Sequence, residues 1–346
     1  MMGHPMKTEE YHQPETIPHL PTSSFDGANR FCEDVRRRVA EVVVGQDAVV
    51  ERILIALFTG GHLMLQGVPG LAKTLLVNAV AKAVDLQFSR IQFTIDLLPS
   101  DIVGSEVLDQ KTGQFRVQKG PIFANLLLAD EINRAAPKAQ SAMLEAMQER
   151  KVTIGGQTFK LPVPFLVIAT QNPVEQSGTF ELPEAQLDRF MLYHRLDYPT
   201  PDEEQDILRR QLAMGLKREE GGAIPKTAFD MIDPQPCATI ADLVRAMEAV
   251  QQVQVSEVFI KHSVELVRRT RQSKLLDFGC SPRACLALAA ASRARAFIRG
   301  RDYVVPEDLF ELAEDVMLHR IRLTYEAAAE GHTGREILES ILSDLS

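Results

Sequence analysis

With 346 residues, 45% of them hydrophobic and 25% charged, the chain has the composition of a folded globular protein of about two domains, which excludes a disordered or fibrous one. Its 38 basic residues stand against 47 acidic ones, a net charge of −9 that leaves little general attraction for phosphate backbones. The four cysteines, Cys32, Cys237, Cys280 and Cys285, have neither CxxC spacing nor nearby histidines, so free thiols are expected and neither a zinc site nor a disulfide framework.

In chain order, residues 1–28 hold Pro14, Pro18 and Pro21 with little hydrophobic periodicity and read as a flexible tail. The start lacks the apolar core of a signal peptide, and no apolar run approaches the roughly 20 residues that span a bilayer. Membrane insertion is therefore not expected, and a cytoplasmic location follows by default. Residues 29–214 alternate short apolar runs with helical stretches, the pattern of an α/β domain whose parallel sheet is covered by helices. The strand candidates are His62–Gln66, Gln87–Ile95, Ala124–Ala129, Phe165–Thr170 and Met191–Leu196, which makes the sheet five-stranded. Two hairpins are expected to interrupt this plan, one over Glu106–Gln118 around Lys111-Thr112-Gly113, the other over Lys151–Leu161 around Gly155-Gly156.

Residues 215–236 are rich in Gly, Pro and charge without a clear period, and read as a connecting segment. Residues 237–346 read as a smaller, all-helical domain. Thr239 and Asp242 form a capping-box pattern ahead of Ile240, Leu243, Val244, Met247 and Val250 at helical spacing. Ser281-Pro282 opens a further helix, and Pro306 another, with Leu309, Leu312 and Val316 down one face.

The chemistry concentrates at strand ends. The run His62–Gln66 leads straight into Gly67-Val68-Pro69-Gly70-Leu71-Ala72-Lys73-Thr74, and Leu75 continues into a helix. This is a P-loop in the context it requires. Small residues let backbone N–H groups close around a phosphate chain, Lys73 reaches the terminal phosphates and Thr74 offers its hydroxyl to magnesium. Ala72 replaces the usual glycine before the lysine, so this position is expected to take a conformation tolerable to a Cβ. The run Leu126-Leu127-Leu128-Ala129 ends in Asp130-Glu131, two acids at the strand terminus where open α/β sheets bind ligands. Asp130 is positioned to hold Mg2+ through its water shell, and Glu131 to orient or deprotonate an attacking water. A third strand ends in Thr170-Gln171-Asn172-Pro173, where Asn172 is a candidate partner for that water or the γ-phosphate, although Asn and Pro also serve turns. Arg283 falls in the first turn of the helix opened by Ser281-Pro282, where the dipole disfavours a cation, and a nearby phosphate would repair the mismatch. Arg189 has no placement from sequence alone.

Together, Gly67–Thr74, Asp130-Glu131-Ile132-Asn133-Arg134-Ala135 and Ala169-Thr170-Gln171-Asn172-Pro173 resemble the MoxR family of AAA+ ATPases. Gln92-Phe93-Thr94, Leu182–Phe190, Ser281–Ala284 and Gly300–Val304 are similar to that family too, which also carries alanine at the position of Ala72. The resemblance implies an α/β nucleotide-binding domain with a helical lid, Mg2+-dependent ATP hydrolysis and self-association into rings, typically hexamers. It implies that Val44 and Gly45 belong to the adenine pocket, that Asn172 is sensor 1, that Arg189 is an arginine finger reaching a neighbouring subunit's ATP, and that Arg283 is sensor 2, in cis or in trans. It further implies a remodelled protein client and a separate partner bearing a von Willebrand factor A domain. A nucleic-acid motor of the same clade is the alternative, set against the net charge of −9. A nucleotide-gated scaffold is a third reading, and it needs neither Glu131 nor Arg189.

Overall fold

The computed structural model describes residues 23–173 and 178–345. Most of the expected tail, residues 1–22, lies outside the described residues; helix α1 (Ser23–Ala40) opens six residues before the start expected at Asn29. Phe31, Cys32, Val35 and Val39 on α1 are buried at helical spacing.

Each of the five apolar runs forms one strand, β1 (Leu63–Gln66), β2 (Phe88–Gln92), β3 (Leu126–Asp130), β4 (Leu166–Gln171) and β5 (Leu192–Arg195), with β3 and β4 each ending one residue beyond the expected run. They pair in parallel in the order β2-β3-β4-β1-β5. Successive side chains serve opposite faces. Leu63, Leu65, Leu126, Leu128, Leu166 and Ile168 enter one apolar core, whereas Met64, Leu127, Ala129, Val167 and Ala169 enter a second. Burial on both faces explains why these strands read as unbroken apolar runs.

The second core is closed by α4 (Pro137–Glu149) through Met143, Leu144 and Met147. The first is larger. It joins α1, α2 (Asp47–Thr59) and α3 (Lys73–Ala83) to helices from the C-terminal region, α6 (Ile240–Gln252), α7 (Glu257–Gln272), α8 (Pro282–Ile298) and α9 (Pro306–Met317). The expected caps are present: Thr239 accepts from the Asp242 N–H at 3.2 Å, and Ser281 from that of Arg283 at 3.2 Å. The C-terminal region also carries one short antiparallel ladder, Leu276–Phe278 with Arg322–Leu323, too brief to leave a period in the sequence.

Both expected hairpins form, as Gly104–Asp109 with Gln114–Lys119 and Lys151–Ile154 with Gln157–Lys160. A third, Leu216–Glu219 with Gly222–Pro225, lies within the stretch read as a connection, followed by a 3-10 turn at Ala228–Met231. Its strands are almost wholly exposed, so no alternation of buried and exposed positions marked them.

The helices of the larger core are locked by charge as well as by apolar contact. Glu51, on a helix otherwise buried almost all round, accepts from Arg36 (2.7 Å) and Arg52 (2.8 Å), and is ion-paired with Arg299 (2.9 Å) and Arg295 (3.4 Å). Arg52 also pairs with Asp315 of α9, whose other oxygen meets His194 of β5 at 2.9 Å. Removing one partner of a buried pair leaves the others uncompensated, so Glu51→Ala is expected to destabilise the fold by about 3 kcal/mol, read as a lowered midpoint in denaturant. An unchanged midpoint would show that these arginines are adequately solvated without it.

Candidate active site

Gln66 is in register with Gln171, and Ala129 with Ala169, so the ends of β1, β3 and β4 lie side by side and the segments that follow them converge on one edge. Gly67 leaves β1 where a Cβ would stand 3.0 Å from the Leu196 Cβ. Gly70 has φ +91° with open space around it, so conformation and not crowding requires a glycine there. Ala72 sits at φ 52°, ψ 24°, which corrects the expectation of a comfortable backbone. The chain must swing from the loop into α3 in one residue, and the left-handed basin that allows this costs an L-residue about 1 kcal/mol. Helix α3 has no side-chain cap and its first residues, Lys73 to Leu75, line the loop's concavity, so its leading N–H groups are left for an anion there.

That concavity is a cavity of about 490 Å3 lined by Pro69 to Leu75, Arg90, Asp130, Glu131, Asn172 and Phe229. Lys73 Nζ reaches back over the loop, donating to the carbonyls of Gly67 (2.7 Å) and Val68 (3.2 Å). Burial lowers the pKa of its ammonium, while Asp130 and Glu131 pull it back upward. Gly67 and Val68 thus contribute carbonyls to Lys73 and do not line the cavity.

The two acids are set by one hydroxyl. Thr170, fully buried on β4, donates to Asp130 Oδ1 at 2.6 Å and accepts from the Glu131 N–H at 2.8 Å. Glu131 takes a left-handed conformation (φ 56°, ψ 50°), and its Oε2 accepts from Gln92 Nε2 at 2.7 Å and Arg134 Nη1 at 3.1 Å. Arg90 holds Asp130 Oδ2 through Nη2 (2.7 Å) and Nε (3.1 Å). Asn172 is buried at the end of β4 and lines the same cavity.

A smaller cavity of about 210 Å3 adjoins it, walled by Val42, Val43, Val44 and Gln46, by the loop's Gly70–Ala72, by Ile207 and Arg210 of α5 (Pro201–Ala213) and by Met214, which caps that helix. Its walls are largely apolar, as a planar base requires. Gly45 is not among them. It turns the chain at φ +72°, where a Cβ would fall 2.5 Å from the Glu203 carboxyl carbon, so its task is close packing on the cap of α5.

Arg189 and Arg283 stand outside both cavities. Arg189 donates to the Leu144 carbonyl at 3.1 Å. Arg283 lies 3.3 Å from the carboxylate of Asp188, which also accepts from Ser281 and, at 2.7 Å, from the buried Arg320. The mismatch of a cation at the start of α8 is therefore repaired by Asp188, where a phosphate had been expected.

An uncapped helix start, a partly buried ammonium and a clamped carboxylate suit a phosphate chain and its magnesium ion, with Thr74 and Asp130 as the residues to hold the metal. Sequence reading assigned no role to Arg90, Gln92, Arg134, Thr170, Met214 or Phe229. Arg90 and Gln92 did leave a signal, two polar residues at i and i+2 in a strand, and Thr170 closes an apolar run. Thr170→Val keeps the shape but strips Asp130 Oδ1 and the Glu131 N–H of this partner. It is expected to cost about 2 kcal/mol of stability and to lower nucleotide turnover by about 10- to 100-fold. Wild-type turnover in this variant would mean that the hydroxyl orients neither acid.

Comparison with known proteins agrees with this geometry. Residues 62–192 match the ATPase family associated with various cellular activities (AAA), and residues 268–341 match the AAA lid domain. Chaperone MoxR1 of Mycobacterium tuberculosis is 41% identical over 97% of this chain and 88% of its own length. The uncharacterized protein YeaC of Bacillus subtilis is 42% identical over 88% of this chain and 91% of its own. Protein MoxR of Methylorubrum extorquens is 31% identical over 86% and 88%. A crystal structure from Cytophaga hutchinsonii, assigned as an ATPase, superposes with a TM-score of 0.83 at 44% identity, covering 93% of this chain and 96% of that one. With its P-loop, its acid pair at the end of β3 and its helical lid, the chain belongs to the MoxR family of AAA+ ATPases.

Proposed function

We propose that the protein binds Mg–ATP between the P-loop and the ends of β3 and β4, and couples its hydrolysis to remodelling a protein client within a ring of copies, six by family habit. The observation that carries the reading is the convergence on one cavity of Lys73, the α3 N-terminus and two acids held by Thr170. Lys73 and the loop's backbone N–H groups bind the phosphates, and Val44 with Leu71, Leu75 and Met214 receives the base. Magnesium, held by Thr74 and Asp130, supplies neutralising charge. Glu131 orients the attacking water and takes its proton, and Asn172 fixes the same water or the terminal phosphate. The positions of Arg189 and Arg283, both away from their own chain's cavity, support their service to a neighbouring copy.

The name of the mycobacterial relative supports a chaperone role, in which the energy of hydrolysis rearranges another protein. A partner with a von Willebrand factor A domain is part of this proposal. Among the described residues no helix is long and apolar enough to cross a membrane.

Lys73→Ala is expected to weaken ATP binding by about 10- to 100-fold, since it deletes a charge-assisted contact to phosphate; unchanged affinity by calorimetry would remove the cavity from the nucleotide's path. Glu131→Gln should bind ATP normally while turnover falls by about 100-fold or more, and near-normal turnover would assign the water to another residue. Arg189→Ala rings should be inactive and recover some hydrolysis when Lys73→Ala subunits are mixed in. No recovery under demonstrated co-assembly would refute action across the interface.

A further inference from the structure

The phosphate cavity contains a second cation whose place is unusual. Arg90 comes from β2, not from the loop, and spends two of its nitrogens on a single oxygen, Asp130 Oδ2, at 2.7 and 3.1 Å. Its Nη2 also reaches Gln92 Oε1 at 2.5 Å. The other Asp130 oxygen is already taken by Thr170, at 2.6 Å. The acid is thus engaged on both sides. Its two partners differ in mobility: Thr170 is completely buried, whereas the Arg90 side chain is 45% exposed against 12% for Asp130. A metal ion approaching Asp130 meets Oδ2 with a guanidinium on it, and of the two contacts only that one faces solvent.

We propose that Arg90 and magnesium compete for Asp130 Oδ2, so that Arg90 sets how much magnesium the site requires. The inference rests on reading Asp130 as a metal-holding residue. A hydrated magnesium ion needs Asp130 Oδ2 free to accept from its water shell and is repelled by the guanidinium already there, and the half-exposed pair is the one that yields. The energy stored in the Asp130–Arg90 contact is then subtracted from metal binding. Removing the guanidinium returns it.

The test is a titration of magnesium into the full-length protein with a fluorescent ADP analogue, which reports binding without turnover. Arg90→Leu is expected to lower the half-saturating magnesium concentration by about two- to fivefold, the range a half-exposed charge pair supports, with each variant's binding in EDTA taken as its own baseline. Arg90→Lys, which keeps the charge but loses the two-nitrogen grip, should fall between. If Arg90→Leu does not fold, as judged by its melting curve, Arg90→Gln serves in the same titration. An unchanged or raised magnesium requirement would overturn the proposal, the latter outcome placing Arg90 on the phosphates. Asp130→Asn separates the two readings. If it raises the magnesium requirement while the Arg90 variants do nothing, only the competition fails; if it too does nothing, the metal assignment of Asp130 fails with it.

Discussion

Much of this site depends on one buried hydroxyl. Thr170 sits on β4 between the P-loop strand and the strand of the acids, and its hydroxyl donates a hydrogen bond to Asp130 and accepts one from the backbone N–H of Glu131. Both bonds exist only because β3 and β4 run in parallel at a fixed register, with Ala129 beside Ala169. A slip of one residue would turn every side chain of β4 to the opposite face and present Ala169 or Gln171 instead. The left-handed turn at Glu131 is unfavourable by about 1 kcal/mol, and the bond to its N–H is of the size that offsets it. Sheet register, acid geometry and backbone strain are thus one constraint seen at three scales.

The remaining architecture protects that register. Alternate residues of β1, β3 and β4 enter two separate cores, so neither face of the sheet can move without disturbing packed side chains. On the larger side, Glu51, Arg52, Asp308 and Asp315 sit among arginines at the meeting of α2, α8 and α9. Such groups give little net stability over an apolar core, but they are directional, and Arg52 and Arg295 each bridge two carboxylates. They fix how the lid helices seat on α2.

What was legible in the sequence was local. The P-loop, the acid pair and the five strands each occupy a short continuous stretch, and the tight Gly155-Gly156 turn announces its hairpin by composition alone. The missed features are contacts between segments far apart in the chain. Thr170 acquires its role from a strand 40 residues earlier, and Arg90 from one 40 residues later. Phe229 lines the phosphate cavity from a stretch that had read as a mere connection. Arg283 was correctly placed at the start of its helix, yet the carboxylate that satisfies it, Asp188, lies 95 residues away and no periodicity points to it. Ala72 is a different kind of miss. Its residue type argued for ordinary backbone, and the demand for an abrupt entry into α3 overrode that preference.

The larger core has a consequence for how the molecule comes apart. Leu76 and Val80 of α3, behind the P-loop, belong to the same continuous cluster as Phe297 of α8 and Val316 of α9. Apolar side chains run without a break from the sheet side of this cluster to the lid, flanked by the buried charges of α2, α8 and α9. Loss of the lid helices would expose apolar surface that α3 shares with them, so the two parts are expected to melt together. A change of side-chain volume at Phe297 meets Phe58 of α2 first, at 5.5 Å between ring centroids, so tolerance of lid substitutions depends on the same core that backs the phosphate cradle.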